Sequence, residues 1–277
     1  MPNMIHQLTA IYVILADFFA NHPEAANWRQ SNHSQPAFTD AEVLAIALMQ
    51  SYFQAPTLKR TYLLVRANDP KAFPHLPSYQ QWLARVHKLS ALVGQVLVSS
   101  TPSEGWQGDY YLLDSKPIPV CLPIRHGRVR LLRDEGAYFG KSSKGWFFGF
   151  KLHLVRDRDG RLLNALLTPA NYDDRSVALS LLAPLPAQLA LADLGYRGWP
   201  IKEQIGEETG ILLITRADLP EKRELISTLR QGVETTFSQL WHQFIDRVYS
   251  RSWLGLWNTI MLKLISYQLR HSGLLAA

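Results

Sequence analysis

Residues 146–169, WFFGFKLHLVRDRDGRLLNALLTP, read as two strands folded back on each other about Asp159-Gly160. An Asp-Gly pair between apolar runs is a strong hairpin signal, because glycine accepts the positive φ of a tight turn. Upstream, YYLLDS (110–115) is a short apolar strand ending in an acid. Downstream, DDRSVALSLLAPL (173–185) is a helix with acids in its first turn, broken by Pro184 and Pro186. QLALAD (188–193) is another strand closed by an acid, and GILLITR (210–216) another after an intervening helix. EKRELISTLRQGVETTFSQLWHQFI (221–245) is a long helix.

The order is therefore strand, hairpin, helix, strand, helix, strand, helix. Antiparallel strands followed by alternating helix and strand predict an α/β domain, a mixed sheet with helices on both faces. The ribonuclease-H-like fold has this order. Residues 1–105 read differently. HQLTAIYVILADFF (6–19), FTDAEVLAIALMQSYF (38–53) and SYQQWLARVHKLSALVGQVLVS (78–99) all carry apolar residues at helical spacing. Thr39 with Glu42 three residues on is a capping box, and Ser78 is a second cap. A small all-α, helix-turn-helix-like DNA-binding module is expected over 1–105. Segment 101–108 (TPSEGWQG) is expected to be a linker, and 106–277 the catalytic domain. The helix after Trp253 is expected to pack back on that domain or to form part of an oligomer interface.

Composition bounds the rest. The 277 residues are 47% hydrophobic and 19% charged, which excludes a disordered chain. A lone cysteine, Cys121, excludes a disulfide framework and a cysteine-based zinc cluster. The apolar start IYVILADFFA (11–20) contains Asp17 and lacks a basic leader, so it does not read as a signal peptide. Segment 252–269 is long enough to span a bilayer, but Asn258 and Lys263 make it a buried amphipathic helix. A cytoplasmic, nucleoid-associated protein with no membrane partner is the expectation.

The net charge is +6 and the pI near 9.4, a balance that favours a polyanionic partner. Arg125 to Arg161 hold ten basic and four acidic residues, which accounts for the whole excess. Tyr138, Phe139, Trp146, Phe147, Phe148 and Phe150 are interleaved with them. Cations release counterions from phosphates and exposed rings stack on bases, so this is either a nucleic-acid surface or a solvated hairpin face over core aromatics. Lys141, Ser142, Ser143, Lys144 and Trp146 concentrate two cations, two hydroxyls and a ring, and are the favoured DNA contact. Gly136, Gly140 and Gly145 are expected to flex a basic loop; they form no phosphate-binding P-loop.

Three acids stand where such a fold can gather them. Asp114 ends the first strand, Asp193 ends the fourth, and Glu234 lies on the last long helix. Taken singly, a strand-end Asp is usually a turn or cap residue. Together they offer hard oxygen ligands for two Mg²⁺ or Mn²⁺ ions acting on a phosphodiester. On the helix, Val233, Phe237, Leu240, Trp241 and Phe244 form the core stripe, with Glu234 about 100° round from Val233, at its margin. Arg230, one turn earlier, is placed to pair with Glu234 or hold a phosphate. Asp109 competes as a strand-starting acid, and Asp173 and Asp174 as first-turn acids. His153 alternates with Lys151 and Val155 on a strand and reads as a buried or paired histidine, with a catalytic one as the alternative.

The ordered motifs FGKSSKGWFFGFKLHLV (139–155), LTPANYDD (167–174), LADLGYRG (191–198), ILLIT (211–215) and RQGVE (230–234) resemble the DDE transposases of bacterial insertion sequences. The likeness covers about 109–250, with a weaker echo in FTDAEVLAIAL (38–48). It implies that Asp114, Asp193 and Glu234 are the catalytic triad and metal ligands, with Arg230 the basic companion of Glu234. It further implies cleavage at terminal inverted repeats of double-stranded DNA, attack of the freed 3′ hydroxyl on target DNA, and homo-oligomers on DNA ends. The related signature places Tyr and Lys where Ser227 and Trp241 stand, and a basic residue at Leu194. Arg247 or Arg251 is expected to supply the phosphate contact of the absent lysine. A metal-dependent nuclease or resolvase, and a non-catalytic DNA-binding descendant, are the alternatives.

Overall fold

The computed structural model describes residues 3–29, 36–99, 109–243, 245–246 and 248–271. In chain order the elements are α1 (Met4–Asn21), α2 (Asp40–Tyr52), α3 (Leu58–Asn68), α4 (Tyr79–Ser99), β1 (Tyr111–Cys121), β2 (Tyr138–Ser142) and β3 (Gly145–Asp157). There follow β4 (Leu162–Pro169), α5 (Asp174–Leu182), β5 (Leu189–Ala192), α6 (Trp199–Thr209), β6 (Leu212–Thr215), α7 (Arg223–His242) and α8 (Trp253–His271). They fall into two compact units, residues 1–97 with 254–277, and residues 98–253. The expected linker over 101–108 lies outside the described residues.

The helical unit is built around α2. Its capping box forms as read: Thr39 Oγ1 accepts from the Glu42 amide at 3.2 Å, and Glu42 Oε2 accepts from the Thr39 amide at 2.6 Å. Every residue from Val43 to Met49 is buried, so α2 has no solvent face over those turns. The Trp82 indole donates to the Val43 carbonyl, and Arg85 and Arg29 hold Asp40 at 2.6 and 3.1 Å. The α1 helix contributes Leu8, Ile11, Leu15 and Phe18 to this core; by length and hydropathy it also meets the requirement for crossing a bilayer.

The C-terminal helix corrects the expected boundary. Leu262, Ile265 and Leu269 of α8 belong to the same core as Leu44, Val86 and Leu89, not to the sheet. Asn258 locks the docking: it accepts from Ser90 Oγ at 2.7 Å and donates to the His87 carbonyl at 3.0 Å. Helical periodicity marked α8 as buried, but a stripe of Leu and Ile carries no address.

The second unit is a six-stranded mixed sheet in the order β2-β3-β1-β5-β6, with β4 on the same edge of β3 as β2. Flanked by helices, it is the ribonuclease-H-like arrangement. The long strand β3 pairs antiparallel with β1 from Asp157↔Tyr111 to Phe148↔Cys121, with one irregularity after Pro119. The β3–β4 turn forms about Asp159-Gly160, with Gly160 at φ +99°. One strand was not expected: 138–142 is not a flexed loop but β2, paired with β3 from Tyr138↔Gly149 to Ser142↔Gly145. Gly140 lies within that strand because a β-carbon there would collide with the Ala170 carbonyl. Only Ser143 and Lys144 turn the hairpin.

Candidate active site

Parallel pairing of β1 with β5 is the first step in assembling the acids. Tyr111 faces Ala190 and Leu112 faces Leu191. The same register carried two residues on sets Asp114 abreast of Asp193, just past the end of β5. Side chains alternate along a strand, so Leu112, Asp114 and Lys116 share one face of β1. That face meets α7: a β-carbon at Gly232 would stand 3.1 Å from Leu112 and 3.3 Å from Arg156. Helix and sheet are bolted together by Arg156, 7% exposed, whose guanidinium donates to the Gly232 carbonyl at 2.7 Å and Thr236 Oγ1 at 3.0 Å. It also donates to the carbonyls of Asp157 and Arg158. This clamp fixes the rotation of α7 and hence the azimuth of Glu234.

Asp114 is 7% exposed. Burial pushes its carboxyl above the usual carboxylate range, and Lys116, the Ser115 amide and Arg230 pull it part of the way back. Its Oδ1 accepts from the Ser115 amide at 2.8 Å, and its Oδ2 lies 3.1 Å from Lys116 Nζ. Asp193 is half exposed and accepts from Arg230 Nη1 at 3.1 Å. Arg230 therefore reaches across to the sheet rather than along its helix to Glu234, and its buried position withdraws it from the surface. The expected pair along the helix is corrected accordingly. Glu234 itself is exposed, one turn beyond Arg230.

A buried hydroxyl lies in the field of the aspartates. Tyr196 is 1% exposed and its Oη has no hydrogen-bond partner among the described residues. Burial drives this phenol well above its ordinary pKa, and the negative charges of Asp174, Asp114 and Asp193 add to the effect against Arg230. The donors expected of the site, all carboxylate oxygens, are of the kind that suits a hard divalent ion. Even so, among the described residues no three His, Cys, Asp or Glu side chains are gathered at metal-ligand spacing. Arg230 and Lys116 hold the two aspartates, and Glu234 faces solvent.

Glu234 instead opens onto a groove of about 820 Å³ within the same unit. Lys116 and Pro117 on β1, Ser142, Lys144 and Trp146 on the β2–β3 hairpin, and Phe237 and Trp241 on α7 line it. The groove thus brings Ser142, Lys144 and Trp146 of the expected DNA contacts beside the third acid, while Lys141 is not in its lining. Trp146 is 64% exposed with Lys141 Nζ 5.9 Å from its ring centroid, while Phe147, Phe148 and Phe150 are buried. The aromatic run divides between a solvent-facing ring and core rings. Ser142 serves the turn: its hydroxyl donates to the Gly145 carbonyl and accepts from the Lys144 amide. Arg251 is exposed; Arg247 and Phe244 lie outside the described residues.

Two further side chains escaped the sequence reading. Asp173 is the N-cap of α5, as its position suggests, but Asp174 turns inward. It accepts from Ser115 Oγ at 3.0 Å and Lys151 Nζ at 2.7 Å, strapping α5 to β1 and β3 beside Asp114. Lys116 was legible as the i+2 neighbour of Asp114 on a strand. Asp109, by contrast, only pairs with Arg158 at the surface.

His153 is fully buried beneath this strap, its Nε2 2.8 Å from Thr168 Oγ1 and its Nδ1 3.9 Å from Asp174 Oδ1, without a hydrogen-bond partner among the described residues. Burial lowers its pKa to about 4, with Asp174 opposing and Lys151 assisting. The folded value lies below the unfolded one, so stability is full above about pH 6.5 and is lost as pH falls toward about 4. Unfolding free energy should drop on the order of 2–3 kcal/mol across that window. Urea titrations near neutral pH and near pH 5 measure it, and His153→Gln should flatten the dependence; an equal slope in the variant would assign the loss elsewhere.

The family model for the transposase DDE domain matches residues 105–243, half of the chain. The chain belongs to the transposase DDE domain family. No curated protein and no solved structure matches it. The match begins just ahead of β1 and ends at the last turn of α7, so it spans every strand and all three acids of the transposase. Membership places the protein in DNA transposition and recombination, with DNA as substrate and a general family dependence on divalent metal.

Proposed function

We propose that the protein is an insertion-sequence transposase that hydrolyses the phosphodiester at its element's ends and transfers the freed 3′ hydroxyl to target DNA. The observation that carries this is the register that sets Asp114 abreast of Asp193 beneath Arg230, with Glu234 one helical turn away. Asp114, Asp193 and Glu234 are the residues that would hold Mg²⁺ or Mn²⁺, as two ions. When bound, such a pair activates the attacking oxygen and stabilises the leaving one.

The chain's own side chains do the rest. The groove beside Glu234 orients the strand, with Trp146 offering a ring to a base and Lys141 and Lys144 meeting phosphates. Arg251 and Arg247 are the further candidates to meet phosphates, and Arg230 holds Asp193 in place until the site is loaded. Hydrolysis and transfer both exchange one oxygen for another at phosphorus, so one site serves both and no protein nucleophile is used. The helical unit helps hold the element end, and cytoplasmic homo-oligomers pair two ends.

Incubation with a duplex carrying the inverted repeats that flank the gene, with Mg²⁺, should yield nicked and then joined products. Free ends without joined products would make the protein a nuclease; DNA binding without nicking in Mg²⁺ or Mn²⁺ would make it a binding protein. Lys141→Ala with Lys144→Ala should weaken duplex binding and lower the salt slope by about two. An unchanged slope would remove the hairpin tip from the DNA interface.

A further inference from the structure

We propose that Lys116 is a placeholder cation, which neutralises Asp114 while the site lacks metal and is handed to a DNA phosphate when a divalent ion takes that carboxylate. The inference rests on the metal reading of the triad. It is carried by the position of one ammonium between two sites: Nζ lies 3.1 Å from Asp114 Oδ2, and the same side chain lines the groove that Glu234 opens onto.

A buried carboxylate needs a countercharge, because moving it out of water unpaired is costly. Lys116 provides that charge from the next position on the same strand face. A divalent ion at Asp114 would set positive charge beside the ammonium, and the pair would then repel. Lysine is suited to leaving: its charge sits on a flexible four-carbon stem, and 36% of the side chain is exposed. The Nζ also stands 5.8 Å from the Phe237 ring centroid, on the groove side, where an aromatic face can steady it. Arg230 contrasts with it. Its side chain is 9% exposed, which leaves its fork no comparable path outward. On the groove wall opposite, α7 presents Phe237, Trp241 and His242, and Lys116 shares the groove with Lys144 of the hairpin.

The consequence is coupling: metal and DNA each favour the state in which Lys116 has left Asp114, so each should tighten the other's binding. Lys116 is a positioning residue in this scheme, acting through Asp114.

The test compares wild type, Lys116→Met, Lys116→Arg and Asp114→Asn, with thermal melts to confirm folding. Mn²⁺ binding to the DNA-free protein is read from the free-ion paramagnetic resonance signal. Duplex affinity is read against salt in Ca²⁺. Lys116→Met should bind Mn²⁺ roughly fivefold more tightly, because the competing charge is gone. Its salt slope on DNA should fall by about one, and Lys116→Arg should restore the slope. Mn²⁺ affinity unchanged or weaker in Lys116→Met, or an unchanged salt slope, would overturn the handover. Wild-type Mn²⁺ binding in Asp114→Asn would instead overturn the metal reading itself, and the handover with it.

Discussion

Asp114→Asn should abolish DNA cleavage while leaving the fold as stable as before. Asparagine keeps the shape and one acceptor oxygen but removes the charge that a divalent ion requires. Loss of an anionic ligand from a metal-assisted phosphoryl site is expected to cost about 10³-fold or more in rate, since a few kcal/mol of charge stabilisation is forfeited. Stability moves the other way. Burial already disfavours the ionised form of Asp114, so the neutral amide relieves a desolvation penalty, offset in part by the loss of the Lys116 pair. Cleavage of an end-labelled duplex in Mg²⁺ and Mn²⁺, with a melt of the same preparation, separates the two effects. Undiminished cutting would remove Asp114 from the centre; a collapsed melt would make it a structural residue.

Arg156→Met should destabilise the sheet unit and loosen α7 on the sheet. The guanidinium satisfies three backbone carbonyls and the Thr236 hydroxyl between β3 and α7. Methionine matches the stem but offers none of these donors; the Gly232 carbonyl keeps the Thr236 hydroxyl and the Asp157 carbonyl keeps the Gly160 amide, so the loss is about 2–3 kcal/mol. The urea midpoint should fall accordingly. Under conditions where the variant is still folded, cleavage should fall too, because α7 loses the register that aims Glu234. A variant as stable as wild type would show that water or a neighbouring residue takes over the carbonyls.

What the sequence disclosed and what it withheld follow a physical division. Local signals were readable: the Asp-Gly turn of β3–β4, the Thr39–Glu42 capping box, and Asp193 at the end of β5. Each is decided within a few residues, by turn geometry or by an orphan amide needing an acceptor. Asp114, expected to end its strand, lies inside β1, which runs on to Cys121. Strand β2 was not readable, since FGKS has a glycine at its centre and pairs only because β3 offers an edge. Arg230 had two acids within reach, Glu234 along the helix and Asp193 across the sheet, and only the packing angle of α7 chooses between them. Asp174 looked like an ordinary first-turn acid, and its inward aim depends on Ser115 and Lys151, residues 59 and 23 positions away.

The return of α8 to the amino-terminal core bears on how this polypeptide tolerates being shortened. A product ending at residue 243, where the family match stops, retains every strand and all three acids. It forfeits Leu262, Ile265 and Leu269, and leaves Ser90 without its Asn258 partner. Frameshifts late in the gene would therefore spare the three acids and injure the amino-terminal core, which loses the side chains that close it.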